Sequence, residues 1–336
     1  MDRSPGSVLV IGGGAAGCAA ALELSRRGIP ALVVEAADRL GGLAEVHGCK
    51  STSRCERCDA CLPRDVRRKV LAEGTVRVMT SSRVTDVSRE GDDLVVTVAG
   101  PHGVARERFG AIVVAIGPMA FDPSLDPRLG YGMVTDVLSS VEVDRAVRSG
   151  RLMVPSTGRR PSSLAIVQCV GSRDDRHGAP YCSKACCKYA YRLARHLQHS
   201  DPDLQVTMFY LDWRPLDGDL EALVRWEREG GRAIRARPAE IVERDGRPVV
   251  RYAGPGDEPI EESFDLVMLT VGLLPPRDGP ELSSMLEVPL DEQGFFPQEH
   301  GRVLAAGCCA GPKDIDESVK EGIAAAGRAA SLVVGT

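Results

Sequence analysis

Two kinds of run organise the hydrophobic pattern of the chain. Val8 to Ile11, Ala31 to Val34, Ala111 to Ile116, Leu164 to Val170, Asp265 to Val271 and Val303 to Ala306 are short stretches dominated by apolar residues, the signature of strands buried on both faces of a parallel sheet. Gln205 to Tyr210 reads the same way at the end of a crossover unit. Helical periodicity fills an Ala-rich stretch from Gly14 to about Arg27, a stretch from about Ser183 to Gln198, Asp219 to Glu229, and a closing segment from Glu317 to Val333. Thr75 to Met79, Thr85 to Val87 and Leu94 to Val98 lie among Gly-Asp and Pro-Gly breakers and predict a small antiparallel meander. Asp122 to about Pro161 is punctuated by Pro, Gly and Ser around one short helix near Val141 to Ser149, which suits a crossing between domains.

The strand-helix-strand order occurs twice, at Val8 to Val34 and at Leu164 to Tyr210, and predicts two parallel sheets. A length of 336 residues also exceeds what one hydrophobic core usually organises. The expectation is an α/β protein of two doubly wound domains. Charge changes this picture by exclusion. With a net charge of -5 and Lys and Arg scattered among acids, the chain offers no broad basic face for nucleic acid. It contains no apolar run of about 18 residues, so no membrane span is expected. The apolar start from Val8 to Leu24 has three consecutive glycines inside it, and fits a strand, turn and helix better than a secretion signal.

Eleven cysteines are many for such a chain, and they are grouped. Cys49, Cys55, Cys58 and Cys61 form one set; Cys169, Cys182, Cys186 and Cys187 form another; Cys308 and Cys309 are adjacent, and Cys18 stands alone in a helix where a core role is expected. Clustered thiols without an export signal read as metal or redox sites in a reducing cytoplasm.

The first glycines carry a specific chemistry. Gly12-x-Gly14-x-x-Gly17 follows a strand and opens a helix, with Ala15 and Ala16 inside the turn, and Glu35 closes the next strand. Glycines at these positions let a pyrophosphate approach backbone N–H groups at the positive end of the helix, while a carboxylate at the strand end accepts from an adenosine ribose. Gly41-Gly42, Ala115-Ile116-Gly117 and the run from Val303 to Gly307 before an Ala- and Gly-rich helix add to the pattern. On these residues the chain resembles the FAD-dependent pyridine nucleotide-disulfide oxidoreductases of thioredoxin-reductase type. The resemblance implies an FAD domain built from both ends of the chain, residues 1–125 and 285–336, and a second Rossmann-like domain, 126–284. It departs at Cys308, where the family usually has Asp, and at Val167 to Arg173, where the glycine fingerprint for a nicotinamide is missing.

In place of that fingerprint stands Cys169, followed by Cys182-x-x-x-Cys186-Cys187 at the start of a helix. Cys182 and Cys186 are expected one helical turn apart on one face, with Cys169 brought in by the strand end. Four thiolates at a helix N-terminus suit a [4Fe-4S] cluster; a zinc site, a disulfide and an inert core are the competing readings. Here the resemblance sharpens to the HdrA-like proteins, flavin subunits of heterodisulfide reductase and its relatives. It rests on Gln168 to Arg173, on Tyr181-Cys182-Ser183 through Cys186-Cys187, and on Ala306-Gly307-Cys308 followed by Gly311-Pro312-Lys313-Asp314-Ile315.

The HdrA resemblance implies that Cys169, Cys182, Cys186 and Cys187 ligate the cluster. It also implies that Gly307, Cys308, Lys313, Asp314 and Ile315 lie near FAD. The appended ferredoxin-type repeats of longer members are absent, which implies a short form, similar to the flavin component of the sulfur-oxidising heterodisulfide-reductase-like complex and to quinone-interacting relatives.

Cys49, Cys55, Cys58 and Cys61 fit either a second cluster or a redox dithiol at Cys58 and Cys61 that exchanges with a substrate disulfide, with spare cysteines as the third reading. Lys313 either stabilises a reduced flavin or belongs to a solvated helix start capped by Asp314 or Asp316. The expected function is electron transfer between FAD and a cluster within a complex of other heterodisulfide-reductase-like subunits, with a homodimer also expected. The alternatives are a free-standing NAD(P)H-dependent disulfide reductase using Cys58 and Cys61, and a quinone-linked oxidoreductase subunit.

Overall fold

The computed structural model describes residues 6–150, 152–214, 219 and 221–334. The chain divides into two compact units: residues 1–45, 59–119 and 274–336, and residues 46–58 and 120–273. Arg151 in the expected crossing segment, and residues 1–5 and 335–336 at the ends of the expected FAD-binding domain, lie outside the described residues.

The first unit begins with β1 (Val8–Ile11), α1 (Ala15–Arg26), β2 (Ala31–Val34), α2 (Leu62–Ala72) and β3 (Val76–Met79). An antiparallel meander follows, β4 (Arg83–Glu90), β5 (Asp93–Gly100) and β6 (Gly103–Phe109), and then β7 (Ala111–Val114). β1, β2 and β7 are buried at every residue because the parallel sheet is covered on both faces, which is why they carry no polar alternation. β3 belongs to this sheet as the parallel neighbour of β2, with Val76 opposite Ala31 and Met79 opposite Val34. The expected place of Thr75 to Met79 in the meander is therefore corrected: a strand at the edge of a parallel sheet is covered less than the centre, and its half-polar sequence reads like a meander strand.

The second unit carries β8 (Val137–Ser139), α3 (Ser140–Arg148), β9 (Ser163–Val170), α4 (Cys186–Ser200), β10 (Gln205–Tyr210), α5 (Ala222–Arg228) and β11 (Arg232–Arg235). A second meander, β12 (Glu240–Arg244), β13 (Arg247–Ala253) and β14 (Pro259–Ser263), precedes β15 (Leu266–Val271). Its main sheet is parallel throughout in the order β11-β10-β9-β15-β8. The helix expected from Asp219 includes Leu220, which lies outside the described residues; the observed helix is α5.

The chain returns to the first unit through α6 (Gly279–Leu286), β16 (Val303–Ala305) and α7 (Ile315–Val334). β16 pairs with β7, giving the order β16-β7-β1-β2-β3, with the two-residue strand Glu299–His300 outside β16. Packing of α7 on α1 depends on Gly322, where a Cβ would stand 2.2 Å from the carbonyl oxygen of Ala16. Among the described residues no helix is long and apolar enough to cross a membrane.

Residues 46–58, placed by sequence with the FAD-binding domain, pack with the second unit. The cause is a buried ion pair. Asp144 of α3 is fully buried and accepts from Lys50 Nζ at 2.8 Å, from the Gly48 N–H at 3.0 Å and from His47 Nδ1 at 2.9 Å. Burial alone would raise the Asp144 carboxyl, but the hydrogen bond from His47 and the charge of Lys50 hold it at about 2. A carboxyl depressed in the folded state stabilises above its unfolded pKa and loses that contribution as pH falls. Denaturant titrations are thus expected to show stability on the order of 2 kcal/mol disappearing between about pH 4 and pH 2, and an Asp144→Asn chain should show a flatter slope there.

Candidate redox sites

At the carboxyl ends of β1, β7 and β16 the glycines of the first unit meet. Gly12 has φ +99°, and a Cβ on it would lie 2.4 Å from the carbonyl oxygen of Ala115, so the end of β7 packs directly on the turn. At Gly17 a Cβ would come 1.9 Å from the Gly12 carbonyl oxygen, which fixes how closely α1 returns to β1. Gly14 differs: nothing lies within 4 Å of its would-be Cβ, and as N-cap of α1 it supplies no side-chain cap. No acid occupies the first turn of α1 either. Open space, N–H groups without a side-chain cap and a first turn without an acid are what a pyrophosphate needs at a helix N-terminus.

Glu35 follows β2, and its carboxylate accepts from the N–H groups of Gly13 and Ala37, both at 2.7 Å. Those two bonds fix its orientation at the strand end, where a ribose hydroxyl is the expected partner. Gly41 donates its N–H to the Gly13 carbonyl at 2.8 Å, and Gly42, at φ +59°, would bring a Cβ to 3.1 Å from Gly14 Cα. Gly117 at φ +71° ends the β7 turn with nothing near its would-be Cβ. Gly307 joins this site with φ +76° and a would-be Cβ 2.8 Å from Ala16 Cβ. Gly12, Gly14, Ala16, Ala115 and Gly307 thus come together from distant parts of the chain, and the cradle fits a dinucleotide.

The loop before α7 is held from within. Lys313, 6% exposed, donates to the carbonyls of Gly307 and Gly311 at 2.9 Å and of Ala310 at 3.3 Å, and pairs with Glu321 at 3.0 Å. Glu321 also accepts from the Gly307 N–H at 3.0 Å. The ammonium therefore organises the Gly307 turn, a role with no counterpart in the sequence pattern. Asp314 caps α7 through a reciprocal pair: it accepts from the Glu317 N–H at 2.8 Å, and Glu317 accepts from its N–H at 3.0 Å. Ile315 opens the helix. Cys308 and Cys309 are buried, with thiols bonded to the carbonyls of Lys313 and of Val114 and Ala306. Burial raises both, Cys309 to about 12. Cys18 is buried in α1 and raised to about 12 by burial, as a core thiol is.

The second site forms at the end of β9. Pairing with β15 slips by one residue between Val167 and Val170, and Cys169 sits in this bulge at φ +59°. Such a bulge re-aims a side chain that a regular strand would point along the sheet normal. Cys169, Cys186 and Cys187 are buried together against Leu211 and Trp213. Gly171 allows the tight exit, because a Cβ there would fall inside the Phe121 ring, 1.9 Å from Cγ.

Hydrogen bonds join the three thiols through Cys186, which is pushed well above its ordinary value by its bonds to Cys169 and Cys187. Its neighbours move the other way. The Cys186 bond lowers Cys187 to about 7, helped by Arg214, and lowers Cys169, helped by Arg173 and Arg237.

Cys182 does not share a helical face with Cys186, as spacing suggested. It precedes α4 in a loop where Lys184 has φ +59°. Its sulfur accepts from the Lys184 N–H at 3.3 Å and from Arg214 at 3.9 Å. Arg214 thus reaches Cys182 with its guanidinium and Cys187 with its backbone N–H.

Four thiols, guanidinium groups around them and the start of α4 suit an anionic iron-sulfur cluster. Among the described residues the one set of three or more ligand atoms mutually within 4.8 Å is Asp126, Asp174 and His177, so neither cysteine group is as tight as a single-ion cage. Asp126 and Asp174 are themselves bonded to Arg128, Arg176 and Arg237 and form an ion-pair node.

The N-terminal cysteines are placed differently. Cys49 and Cys55 are exposed and Cys58 half-buried in the segment that packs with the second unit, whereas exposed Cys61 is the N-cap of α2 in the first.

Comparison with known proteins gives the family and the fold. Residues 10–50 match the family model of the NAD(P)-binding Rossmann-like domain. The second iron-sulfur HdrA protein of the CoB–CoM heterodisulfide reductase of Methanopyrus kandleri is 37% identical over 68% of this chain and 38% of its own length. The corresponding HdrA protein of the ferredoxin/F420H2-dependent CoB–CoM heterodisulfide reductase of Methanosarcina acetivorans is 29% identical over 99% of this chain and 54% of its own. The chain therefore spans about half, or less, of these relatives. Among solved structures, thioredoxin reductase of Lactococcus lactis superposes with a TM-score of 0.65 at 20% identity, covering 98% of this chain and all of that one. The fold is that of thioredoxin reductase, and the chain belongs to the HdrA-like family, the flavoprotein relatives of the HdrA component of heterodisulfide reductase.

Proposed function

We propose that the chain is an electron-transfer flavoprotein subunit of a heterodisulfide-reductase-like complex, with FAD in the first unit and a [4Fe-4S] cluster in the second. The observation that carries this reading is the set of four cysteines at the end of β9 and the start of α4, where a nicotinamide fingerprint would otherwise stand. When bound, FAD exchanges electrons in ones or twos and a cluster accepts them singly, so the pair converts between two-electron and one-electron partners.

The residues of the chain bind and orient these groups. Gly12, Gly14 and Gly17 admit the pyrophosphate to the α1 N–H groups, and Glu35 orients the ribose. Lys313 and Glu321 hold the Gly307 turn, and Asp314 caps the helix behind it. Cys169, Cys182, Cys186 and Cys187 hold iron, while Arg173, Arg214 and Arg237 balance the charge of the thiolates. Cys49, Cys55, Cys58 and Cys61 supply either a second cluster or, through Cys58 and Cys61, a dithiol for a sulfur substrate. Cysteines clustered in this way suit a reducing cytoplasm.

Anaerobic isolation of the tagged chain from its own cells tests the reading. Iron-sulfur and thiol-handling subunits should co-purify at fixed stoichiometry. A chain recovered alone that reduces disulfides with NAD(P)H would contradict the proposal.

A further inference from the structure

The segment bearing Cys49, Cys55 and Cys58 has little hydrophobic content of its own, yet it is held at several points. Asp144 takes three bonds from it, and Lys50, 3% exposed, also donates to the Gly48 carbonyl at 3.0 Å and lies 5.0 Å from the centre of the Tyr189 ring. His47 packs on the same ring at 5.2 Å. Further along α4, His196 donates to the Ser51 carbonyl at 2.6 Å and Arg195 binds Glu56 at 2.8 Å. Gly48 is needed for the approach, because a Cβ there would lie 2.7 Å from Arg148 Cγ.

Tyr189, Arg195 and His196 belong to the helix that begins with Cys186 and Cys187. A fully buried carboxylate on α3 and a buried ammonium on an otherwise polar segment are costly unless they fix a geometry, since each would lose water for no gain as a loose pair. The feature they fix is a loop whose only unusual chemistry is its thiols.

We propose that Asp144 is the positioning residue of the Cys49, Cys55 and Cys58 thiols, tying them through Lys50 and His47 to the helix that carries Cys186 and Cys187. The loop that bears them is thereby anchored on α3 through Asp144 and on α4 through Tyr189, Arg195 and His196. The inference rests on the proposed redox role of these thiols for its purpose, while the positioning is measured without reference to any cluster.

The test uses the full chain under anaerobic conditions, with Asp144→Asn and Lys50→Met as separate variants. Amide hydrogen exchange is followed across 46–58, and alkylation by iodoacetamide is resolved by cysteine. In both variants exchange in 46–58 should accelerate at least about tenfold, because the segment is released as a unit. Alkylation of Cys49, Cys55 and Cys58 should change severalfold, with Cys182 as the unaffected reference. Should Asp144→Asn fail to fold, Lys50→Met alone decides. Unchanged exchange overturns the inference, and so does faster exchange with the three thiol rates unaltered. Iron content read on the same samples separates the two proposals. Iron retained beside a loosened segment supports positioning, whereas a segment still protected in both variants contradicts positioning alone, whatever the iron content.

Discussion

A Gly14→Ala chain is expected to fold like the parent and bind FAD ten- to a hundredfold more weakly. The expectation rests on one asymmetry among the fingerprint glycines. Gly14 has ordinary backbone angles, φ -76° and ψ -164°, and nothing lies within 4 Å of its would-be Cβ. The methyl therefore costs the empty protein nothing and occupies space the pyrophosphate needs, a clash of about 1–3 kcal/mol. Gly17→Ala should act in the opposite order. Its methyl would stand 1.9 Å from the Gly12 carbonyl oxygen, so α1 must move off β1, and the loss falls on stability as well as binding. Calorimetric titration of FAD into apoprotein, with thermal melts of both variants, separates the two effects. Equal FAD affinity in Gly14→Ala would place the dinucleotide elsewhere.

The second large effect concerns iron. Cys186 bonds to both Cys169 and Cys187 at the centre of the buried thiols, and Cys186→Ser is expected to take iron from about four per chain to near zero while leaving the flavin in place. Cys309→Ser is the control. That thiol is fully buried, bonded to two carbonyls and raised to about 12, and its loss should leave iron unchanged. Iron and flavin assays on the two variants after anaerobic reconstitution make the comparison. Iron retained in Cys186→Ser would return this cysteine set to a structural role.

How far the sequence revealed these sites depended on whether the governing interactions were local. β1, α1 and β2 were legible because buried parallel strands are continuous apolar runs and the glycine turn has its own spacing. Glu35 was legible as the acid at the next strand end. The convergence of Cys169 with Cys186 and Cys187 was legible as a strand-loop-helix unit, but the bulge at Val167 to Val170 that turns Cys169 inward leaves no mark in the pattern.

The position of Cys182 was misread because Lys184 adopts φ +59° and delays the helix. α2 was missed: it buries only Pro63, Val66 and Val70, and five of its eleven residues, Arg64, Asp65, Arg67, Arg68 and Lys69, are charged. The docking of residues 46–58 was illegible for another reason, since Lys50 and Asp144 are far apart in sequence and nothing local announces a buried pair. Lys313 was read either as a charge for the flavin or as part of a solvated helix start, and only the folded loop shows three carbonyls and Glu321 around it.

Two redox groups in one polypeptide are the central claim, and quantitative spectroscopy of the anaerobically purified full chain measures them together. One FAD per chain with about four irons, and a paramagnetic signal on reduction that disappears in Cys186→Ser, is the predicted result. A plain yellow protein that carries flavin but takes up no iron on reconstitution would contradict it.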